Sequence, residues 1–593
     1  MIRLFFPLIL TLGALAMPIH SPAAEQSAGR ADAEFLALLE EHWETQLREF
    51  PQFASETGEE RYNHLLDDNS AEAFPRRLAA WKAFLARQQA IDPAQLSREH
   101  RLTHAILGRE LANNIAEIEL ETHLIPITNR WGFHIEFPEL HQRMPFRHVR
   151  DFENYIARLC AFHRSAEENM ALLRRGIEGG RTLPAVVLEG FEETIEAHIV
   201  EDPQQSLLYT PLRAMPEQIS EAEQARLRAE AEAAIRESVV PAYREFLAFM
   251  EKEYIPSARG TLGATALPGG RELYAHRVRQ YTTLEAITPA EIHEIGLAEV
   301  ARIRREMQDV ITTTEFKGSF AEFTEHLRTD PKFYAETPEQ LMKEVAYVLK
   351  RMDGELPKLF KHLPRTPYGI RPVPEYLAPR TTTAYYQAPT GDGRTAGIYY
   401  VNTFNLKSRP LYEIEALSLH EAVPGHHLQL ALQQEQENLP PLRRYSGFTV
   451  FVEGWALYAE RLGLEAGFYR DPYSQFGRLS YEMWRACRLV VDTGIHNQGW
   501  TREQAIAYLA ENTALARHNI EAEVDRYISW PGQALAYKIG ELKIRELRRR
   551  AEELLGPRFD LRDFHHALLQ NGALPLDLLE QEVEAYIAGA GEE

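Results

Sequence analysis

Residues 415–430 read EALSLHEAVPGHHLQL and place His420, Glu421, His426 and His427 close together in the sequence. Neutral imidazoles hold zinc, and a carboxylate beside the metal can take a proton from a bound water molecule. In the related pattern H-E-x-x-H, the two histidines lie one turn apart on the same face of a helix. The stretch therefore predicts a helix with the side chains of a metal-dependent hydrolase.

The spacing of the histidines differs from that pattern. In a continuous helix, His420 and His427 would stand about 10 Å apart along the axis, whereas two nitrogens on one zinc lie roughly 3–4 Å apart. Pro424 interrupts the helical hydrogen bonds, and Gly425 allows unusual backbone angles. If these two residues bulge out, the remainder reads H-E-A-V-H. His426 then becomes the expected second ligand, and His427 is the alternative.

A candidate third ligand follows in residues 448–462, which read FTVFVEGWALYAERL. The stretch predicts an apolar helix with Glu453 embedded in it. A buried carboxylate is costly unless it is paired or bound to a metal, so Glu453 is the expected third ligand. Glu460 lies seven residues farther on the same face, and is either a partner of a ligand or a surface acid.

The composition excludes several classes of site. The chain has 593 residues, with 65 Lys and Arg against 87 Asp and Glu, and a formal charge of −22. This acidity argues against nucleic acid as the main partner, since phosphate binding needs a basic surface. The two cysteines, Cys160 and Cys487, cannot supply a four-thiolate zinc site, and we expect two separate buried thiols. Any metal must be held mainly by His, Asp and Glu.

Residues 1–24 read MIRLFFPLILTLGALAMPIHSPAA, the pattern of a secretory signal peptide. No later stretch approaches the ~20 apolar residues of a spanning helix. We therefore expect a protein secreted across the inner membrane, periplasmic or extracellular, with no stable membrane insertion after signal removal.

The rest of the chain is mostly helical in pattern. Breaks near 255–270 and 363–395 suggest an N-terminal lobe at about 25–265 and a catalytic C-terminal lobe at about 266–593. Apolar residues at three- and four-residue spacing predict helices at 34–50, 76–91, 151–175, 221–253 and 289–313.

Residues 381–403 contain two β-rich runs, TTTAYYQAP and IYYVNT, around the turn-like TGDGRTAG. This pattern predicts a small β-hairpin beside the His-rich helix. It is either purely structural or an edge strand that binds an extended peptide. In the second case, Tyr399, Tyr400 and Asn402 would line the site.

HEAVPGHH followed by FVEGWALYAE resembles the bacterial DUF885 proteins, which are placed with the glutamate-zincin metallopeptidases. The related pattern in angiotensin-converting enzyme, thimet oligopeptidase and Taq carboxypeptidase types is an HExGH helix and, about 25 residues later, a helix bearing Glu. Gly425 and His426 look like the Gly-His pair of that pattern, and Glu453 follows at a similar distance. The resemblance implies a large helical two-lobed zincin-like fold, whose deep channel admits short peptides and excludes folded proteins.

Residues 516–540 extend the resemblance. In the angiotensin-converting enzyme family, a His and a later Arg-Tyr pair contact the reacting carbonyl and the substrate. His518 and the pair Arg526 and Tyr527 are similar in order and spacing, and Tyr537 competes with Tyr527. A phenol suits this role because it donates a hydrogen bond to a developing oxyanion and stays neutral at pH 7.

These patterns together predict an exported zinc metallopeptidase of the oligopeptidase or carboxypeptidase type. One Zn²⁺ per chain would be held by His420, His426 and Glu453, with Glu421 as general base. The alternatives are an amidohydrolase acting on a non-peptide amide, and a non-catalytic peptide-binding protein. The intact Glu421 argues against the second alternative.

Arg485 and Arg488, in YEMWRACRLVVD, are candidates for binding a substrate carboxylate, although helical arginines more often form surface ion pairs. No oligomeric state follows from the sequence.

Overall fold

The computed structural model describes four stretches of the chain, residues 22–375, 377–379, 381–391 and 393–590. Helices dominate these stretches, and a small sheet completes them, which confirms the predicted mostly helical fold. The predicted signal peptide, residues 1–24, lies outside the described residues except for its last positions, where the first helix begins.

The N-terminal part of the described chain contains four of the five predicted helices. The fifth, predicted at 289–313, is the helix Pro289–Thr313 in the C-terminal part. The predicted helix 221–253 is two α-helices joined through a π-helical segment, Ile235–Val239. The α-helices are α1 Pro22–Glu49, α2 Pro51–Glu56, α3 Ala73–Ala90, α4 Arg98–Glu119, α5 Phe133–Glu136, α6 Val149–Glu178, α7 Glu193–Glu196, α8 Thr210–Arg213, α9 Glu221–Ala234 and α10 Val240–Phe249.

The C-terminal part carries the strands and the remaining helices. The strands are β1 Tyr368–Pro372, β2 Ala384–Gln387 and β3 Gly397–Val401. The helices are α11 Gly270–Thr282, α12 Pro289–Thr313, α13 Phe320–Thr329, α14 Pro338–Leu359, α15 Ile414–Glu421, α16 His426–Gln434, α17 Pro441–Tyr445, α18 Thr449–Leu462, α19 Pro472–Gln498, α20 Arg502–Asn512, α21 Arg517–Ser529, α22 Ala536–Leu555, α23 Leu561–Leu569 and α24 Leu576–Gly589.

Local sequence explains where several helices begin. The Thr288 side chain accepts a hydrogen bond from the Glu291 backbone N–H, and the Glu291 carboxylate accepts one from the Thr288 N–H. Thr337 likewise accepts a hydrogen bond from the Gln340 N–H at the start of α14. Proline follows each threonine at the first helical position, where its missing N–H costs nothing.

The sheet has the order β1-β3-β2. β2 and β3 pair antiparallel and form the predicted hairpin. β1 was not predicted, and it pairs parallel with β3 from the other side. In this order β3 is the central strand and β2 is an edge strand. All residues of β3 are buried.

Two glycines allow α18 and α22 to pack closely. A Cβ on Gly454 would lie 2.6 Å from the Gly540 Cα, and a Cβ on Gly540 would lie 1.9 Å from the Val450 carbonyl oxygen. No side chain fits at either position without moving the helices apart. This contact fixes the helix of Glu453 against the helix of Tyr537.

A large hydrophobic core runs through the described chain, from Ala31 in α1 to Val583 in α24, and a small second cluster lies beside the sheet. The predicted boundary between lobes near residue 265 stays a prediction. Within the described ranges, none of the helices has the length and apolarity needed to span a bilayer.

The two cysteines are not joined by a disulfide, as expected. The expectation that both are buried is wrong for Cys160, which lies on an exposed face of α6, whereas Cys487 is buried in α19.

Candidate metal centre and its cavity

The helix that carries the histidines is interrupted as predicted, between α15 and α16. A Cβ on Gly425 would lie 1.9 Å from the His420 carbonyl oxygen, so only glycine allows the chain to approach this closely. The Pro424 carbonyl accepts a hydrogen bond of 2.9 Å from the Trp455 indole N–H, which holds the interruption against α18. The break brings the rings of His420 and His426 within 4.8 Å, centroid to centroid.

Three potential ligand atoms converge at this break. Oε2 of Glu453 lies 3.5 Å from Nε2 of His420 and 3.4 Å from Nε2 of His426. Two atoms that each bind a tetrahedral zinc at about 2 Å stand about 3.4 Å apart. Oε2 of Glu453 is also buried and has no hydrogen-bond partner among the described residues, an uncommon state for a buried polar atom. The donor set therefore fits a divalent metal ion such as zinc.

A second carboxylate orients His420. Nδ1–H of His420 donates to Oε1 of Glu460 at 2.8 Å, and Glu460 also pairs with Arg485 at 3.2 Å. This hydrogen bond directs Nε2 of His420 towards Glu453, as is usual for histidines that bind metals. Burial lowers the pKa of His420, but the nearby carboxylates of Glu453 and Glu460 outweigh it and raise the pKa to about 9. A metal ion would therefore compete with a proton for Nε2.

The two acidic side chains at the centre differ in proton affinity. Burial raises the pKa of Glu421 above its usual value, and the charges of His420 and His426 counter it only in part. Burial also opposes ionisation of Glu453, but the two imidazoles close to it hold its pKa well below the usual value. Glu453 is thus the permanent anion, and Glu421 is the group suited to exchange a proton.

His427 lies outside this group of ligand atoms. Its Nε2–H donates to the Thr366 carbonyl at 3.0 Å, and its Nδ1 accepts from the Tyr386 hydroxyl at 2.8 Å. Both nitrogens are therefore engaged elsewhere. The structure brings together His420, His426 and Glu453.

A cavity of about 520 Å³ opens at the centre. His420, Glu421, His426 and Glu453 contribute to its wall. Other wall residues come from the edge strand, from α19, α21 and α22, and from the N-terminal half of the chain. They include Arg130, Arg143, Thr383, Ala384, Tyr385, Tyr386, Trp484, Arg485, Arg488, Arg526 and Tyr537.

The edge strand β2 presents backbone groups to this cavity. The Asn402 N–H donates to the Thr383 carbonyl at 3.0 Å. Because hydrogen-bonded pairs alternate along an antiparallel ladder, Ala384 and Tyr386 direct their backbone groups away from β3. These groups lie on the free edge of the sheet.

The predicted substrate residues, Tyr399 and Tyr400 on β3 and Asn402 directly after it, lie away from the cavity wall. Tyr399 is fully buried in the core. The Tyr400 hydroxyl donates to Oε1 of Gln142 at 2.9 Å, and the Asn402 amide donates to backbone carbonyls, among them that of Ala378 at 2.8 Å. Among the described residues of the hairpin, those of β2 line the cavity, because β1 covers the other edge of β3 and makes β3 central.

The two candidate tyrosines differ in position. The Tyr527 hydroxyl donates to Glu523 at 2.8 Å and accepts from Trp484 and Arg488 at 2.9 Å each, all in the protein interior. Tyr537 lines the cavity, and its hydroxyl accepts from the Arg526 guanidinium at 3.0 Å. The structure therefore separates Tyr527 from the candidate centre and brings Tyr537 to it.

His518 and Arg526 also differ. His518 is exposed and its Nε2 contacts the Pro379 carbonyl at 3.1 Å, away from the cavity wall. Arg526 is part of the wall, as predicted for a substrate-binding residue. Sequence reasoning missed Arg130, which reaches the same cavity from the N-terminal half. No motif marks that residue, because its position depends on the packing of distant segments.

The comparisons with known proteins agree with this architecture. Residues 51–583 match the family described as "Bacterial protein of unknown function (DUF885)". The crystal structure of a "putative lipoprotein" from Colwellia psychrerythraea has 28% sequence identity and a TM-score of 0.87, covering 95% of this chain and 99% of that chain.

A "putative lipoprotein of unknown function" from Shewanella oneidensis shares the fold, with a TM-score of 0.61 and 19% identity over 92% of this chain and 99% of that chain. No curated protein matches the sequence. Since the family match spans most of the chain, the protein belongs to the DUF885 family of bacterial proteins.

Proposed function

We propose that this protein is a zinc-dependent peptidase that hydrolyses short peptides. The observation that carries the proposal is the convergence of Nε2 of His420, Nε2 of His426 and Oε2 of Glu453 in one cavity, at separations suited to a single ion. Three protein ligands leave a coordination position open, which is typical of catalytic zinc and not of structural zinc.

His420, His426 and Glu453 would hold one Zn²⁺ per chain. When bound, the ion would lower the pKa of a water molecule and polarise the substrate carbonyl. Glu460 keeps the His420 ring in the orientation that ligation requires, through the 2.8 Å hydrogen bond to Nδ1.

Glu421 is the proposed general base. It lines the cavity next to the three ligands, and burial raises its pKa towards the range in which proton exchange is efficient at neutral pH. Glu421 takes a proton from the attacking water and returns it to the amine that leaves.

Tyr537 is the proposed donor to the oxyanion that forms at the substrate carbonyl. Its hydroxyl accepts from Arg526, which leaves its own proton available for donation into the cavity. Tyr527 is the less suitable candidate, because its proton is already donated to Glu523.

The cavity suits an extended short peptide. Its volume, about 520 Å³, falls in the range of small-ligand sites and excludes a folded protein. Ala384 and Tyr386 on the free edge of β2 offer backbone groups for pairing with a peptide chain. The leader-like residues 1–24, and the name "putative lipoprotein" of the similar Colwellia protein, support export to the periplasm or beyond.

Metal analysis and peptide hydrolysis test the proposal together. We expect stoichiometric zinc, chelator-sensitive cleavage of a short-peptide library, and loss of cleavage in Glu421→Gln with zinc retained. A matched pair, His426→Gln and His427→Gln, tests the ligand set, because only the first variant should lose zinc.

Three results would contradict the proposal. Protein that stays metal-free after reconstitution with zinc has no metal centre. Zinc-loaded protein that cleaves only non-peptide amides is an amidohydrolase. Zinc-loaded protein that binds peptides without turnover is a binding protein.

A further inference from the structure

Three arginines surround one buried glutamate at the wall of the cavity. Glu523 is fully buried, and it pairs with Arg488 at 2.8 Å, with Arg130 at 3.2 Å and with Arg526 at 3.6 Å. In the described part of the chain, no other carboxylate lies within ion-pair distance of these arginines. Three positive charges therefore face a single negative charge. We call Arg130, Arg488 and Arg526 the arginine cluster.

Arg488 has an unused hydrogen-bond donor. Its guanidinium lies between the rings of Trp484 and Tyr537, at 4.4 and 4.1 Å from their centroids. Its Nε donates to Tyr527 and its Nη2 to Glu523. Nη1 is buried and has no partner among the described residues. A rigid, charged donor without an acceptor is costly in a folded protein, and it indicates that a ligand supplies the missing acceptor.

The arginine cluster lies in the same cavity as the candidate metal centre. Arg485 pairs with Glu460, the side chain that orients His420. Arg488 follows three residues later on α19, a rise of about 4.5 Å along the helix. Arg488 is thus placed about one helical turn from the arginine that pairs with Glu460.

We propose that the arginine cluster binds the C-terminal carboxylate of the substrate, so that the enzyme removes residues from the free C terminus of short peptides. This inference rests on the proposed peptidase function. Guanidinium groups form strong, paired hydrogen bonds with carboxylates. An acidic side chain offers the same chemistry, but the C-terminal carboxylate is the one that every peptide carries whatever its sequence.

Four forms of one peptide distinguish these sources of carboxylate. The forms are the free acid, the C-terminal amide, the N-acetylated free acid and an amide with Glu as its last residue. We expect amidation to lower kcat/KM at least tenfold, mainly through KM, and N-acetylation to change it less than twofold. The Glu-ending amide should stay as poor as the simple amide, and mass spectrometry should place the cut near the free C terminus. Recovery of the Glu-ending amide to the level of the free acid would overturn the inference.

A pair of variants tests whether the arginine cluster binds the carboxylate. Arg526→Gln leaves the Arg488–Glu523 pair in place and should bring the ratio of kcat/KM for acid and amide towards one. Arg143 lines the same cavity and pairs with Glu56, so Arg143→Gln should keep the wild-type ratio. Thermal unfolding verifies that both variants are folded.

Different results would rule out the C-terminal carboxylate site and the peptidase activity. Equal cleavage of acid and amide by the wild type would overturn the C-terminal site and leave the peptidase in place. If no peptide is cleaved, calorimetry still tests the C-terminal site by comparing the Kd values of the same acid and amide for Glu421→Gln. A Kd at least tenfold lower for the acid supports the site, and equal Kd values overturn it.

Discussion

Glu453 and Glu482 are both buried helical carboxylates, but their surroundings differ. Burial opposes ionisation of both, and neighbouring groups nevertheless hold the pKa of each well below the usual value. Glu482 accepts hydrogen bonds from Lys538 and Arg478 at 2.9 Å each, and also from Arg302. Glu453 faces only two imidazole nitrogens, at 3.4 and 3.5 Å, and its Oε2 has no hydrogen-bond partner among the described residues.

The difference separates a structural cluster from a candidate binding site. Around Glu482, every charge meets an opposite charge within the protein, so the cluster stabilises the fold and needs no ligand. Around Glu453, the polar atoms converge without pairing, which leaves room for an ion. A surface group, His163, Glu167 and Glu245, is equally compact. Its side chains are more exposed, and Nε2 of His163 already pairs with Oε2 of Glu245 at 3.0 Å, so no metal is required.

The largest expected effect is that of Glu453→Gln on metal affinity. The substitution keeps the shape of the side chain but removes the anionic ligand. We expect the Kd for zinc to rise at least a thousandfold, about 4 kcal/mol. Competition with a chromophoric chelator measures this, and a Kd within tenfold of the wild type would remove Glu453 from the ligand set.

Glu482→Gln should act on stability instead. It would leave Arg478 as a buried charge with no carboxylate at ion-pair distance among the described residues, at a cost of about 3–5 kcal/mol. Lys538 would keep Glu299 and Glu541, at 3.0 and 2.8 Å. Urea unfolding in the presence of chelator measures this cost. The zinc Kd of the folded variant should stay within about twofold of the wild type. A large loss of zinc affinity would show that the two carboxylates are not independent.

Glu460→Gln should have an intermediate effect on the metal. Residues that orient a ligand typically contribute about 10–100-fold to metal affinity, or about 1.4–2.7 kcal/mol. We expect a rise of that size in the zinc Kd, smaller than the effect of Glu453→Gln. An unchanged Kd would mean that the hydrogen bond to Nδ1 of His420 does not matter for ligation.

The smallest expected effect concerns His496, a fully paired counterpart of His420. Nδ1 of His496 accepts from the Ala264 N–H and its Nε2–H donates to the Tyr527 carbonyl, at 2.9 Å each. Burial lowers the pKa of His496 to about 4, so the unfolded chain, with a usual pKa of 6.5, binds a proton that the folded chain refuses. Stability is therefore present above pH 6.5 and is lost as the pH falls towards 4.

Between pH 7 and pH 5, His496 should account for a loss of about 2 kcal/mol in the free energy of unfolding. In His496→Gln, the decline of that free energy over the same range should be smaller by this amount. Urea unfolding at the two pH values measures it. An identical decline in both proteins would contradict the assignment of a neutral, buried imidazole.

The sequence predicted features that depend on neighbouring residues. The helix starts at Thr288 and Thr337 are explained by capping and by proline, both of which act within one turn. The break at Pro424 and Gly425 was predictable for the same reason, because their backbone chemistry is local. Glu453 was predictable because a carboxylate in an apolar helix needs a partner.

Other features needed the packing of distant segments. The runs that form β2 and β3 look alike in sequence, and the pairing of β1 with β3 decides which of them is the edge. Tyr527 and Tyr537 are equally plausible in sequence, but only the arrangement of α19, α21 and α22 directs one into the interior and the other to the cavity.

By itself, then, the sequence determined a mostly helical protein with His420, Glu421 and Glu453 as chemically matched groups. Composition, helical periodicity and local backbone chemistry are sufficient for that. Only the tertiary structure decided that His426 joins them in place of His427, and that Arg130 reaches Glu523 across the cavity. Burial and the direction of a side chain depend on contacts between residues far apart in the chain, and no local pattern records those contacts.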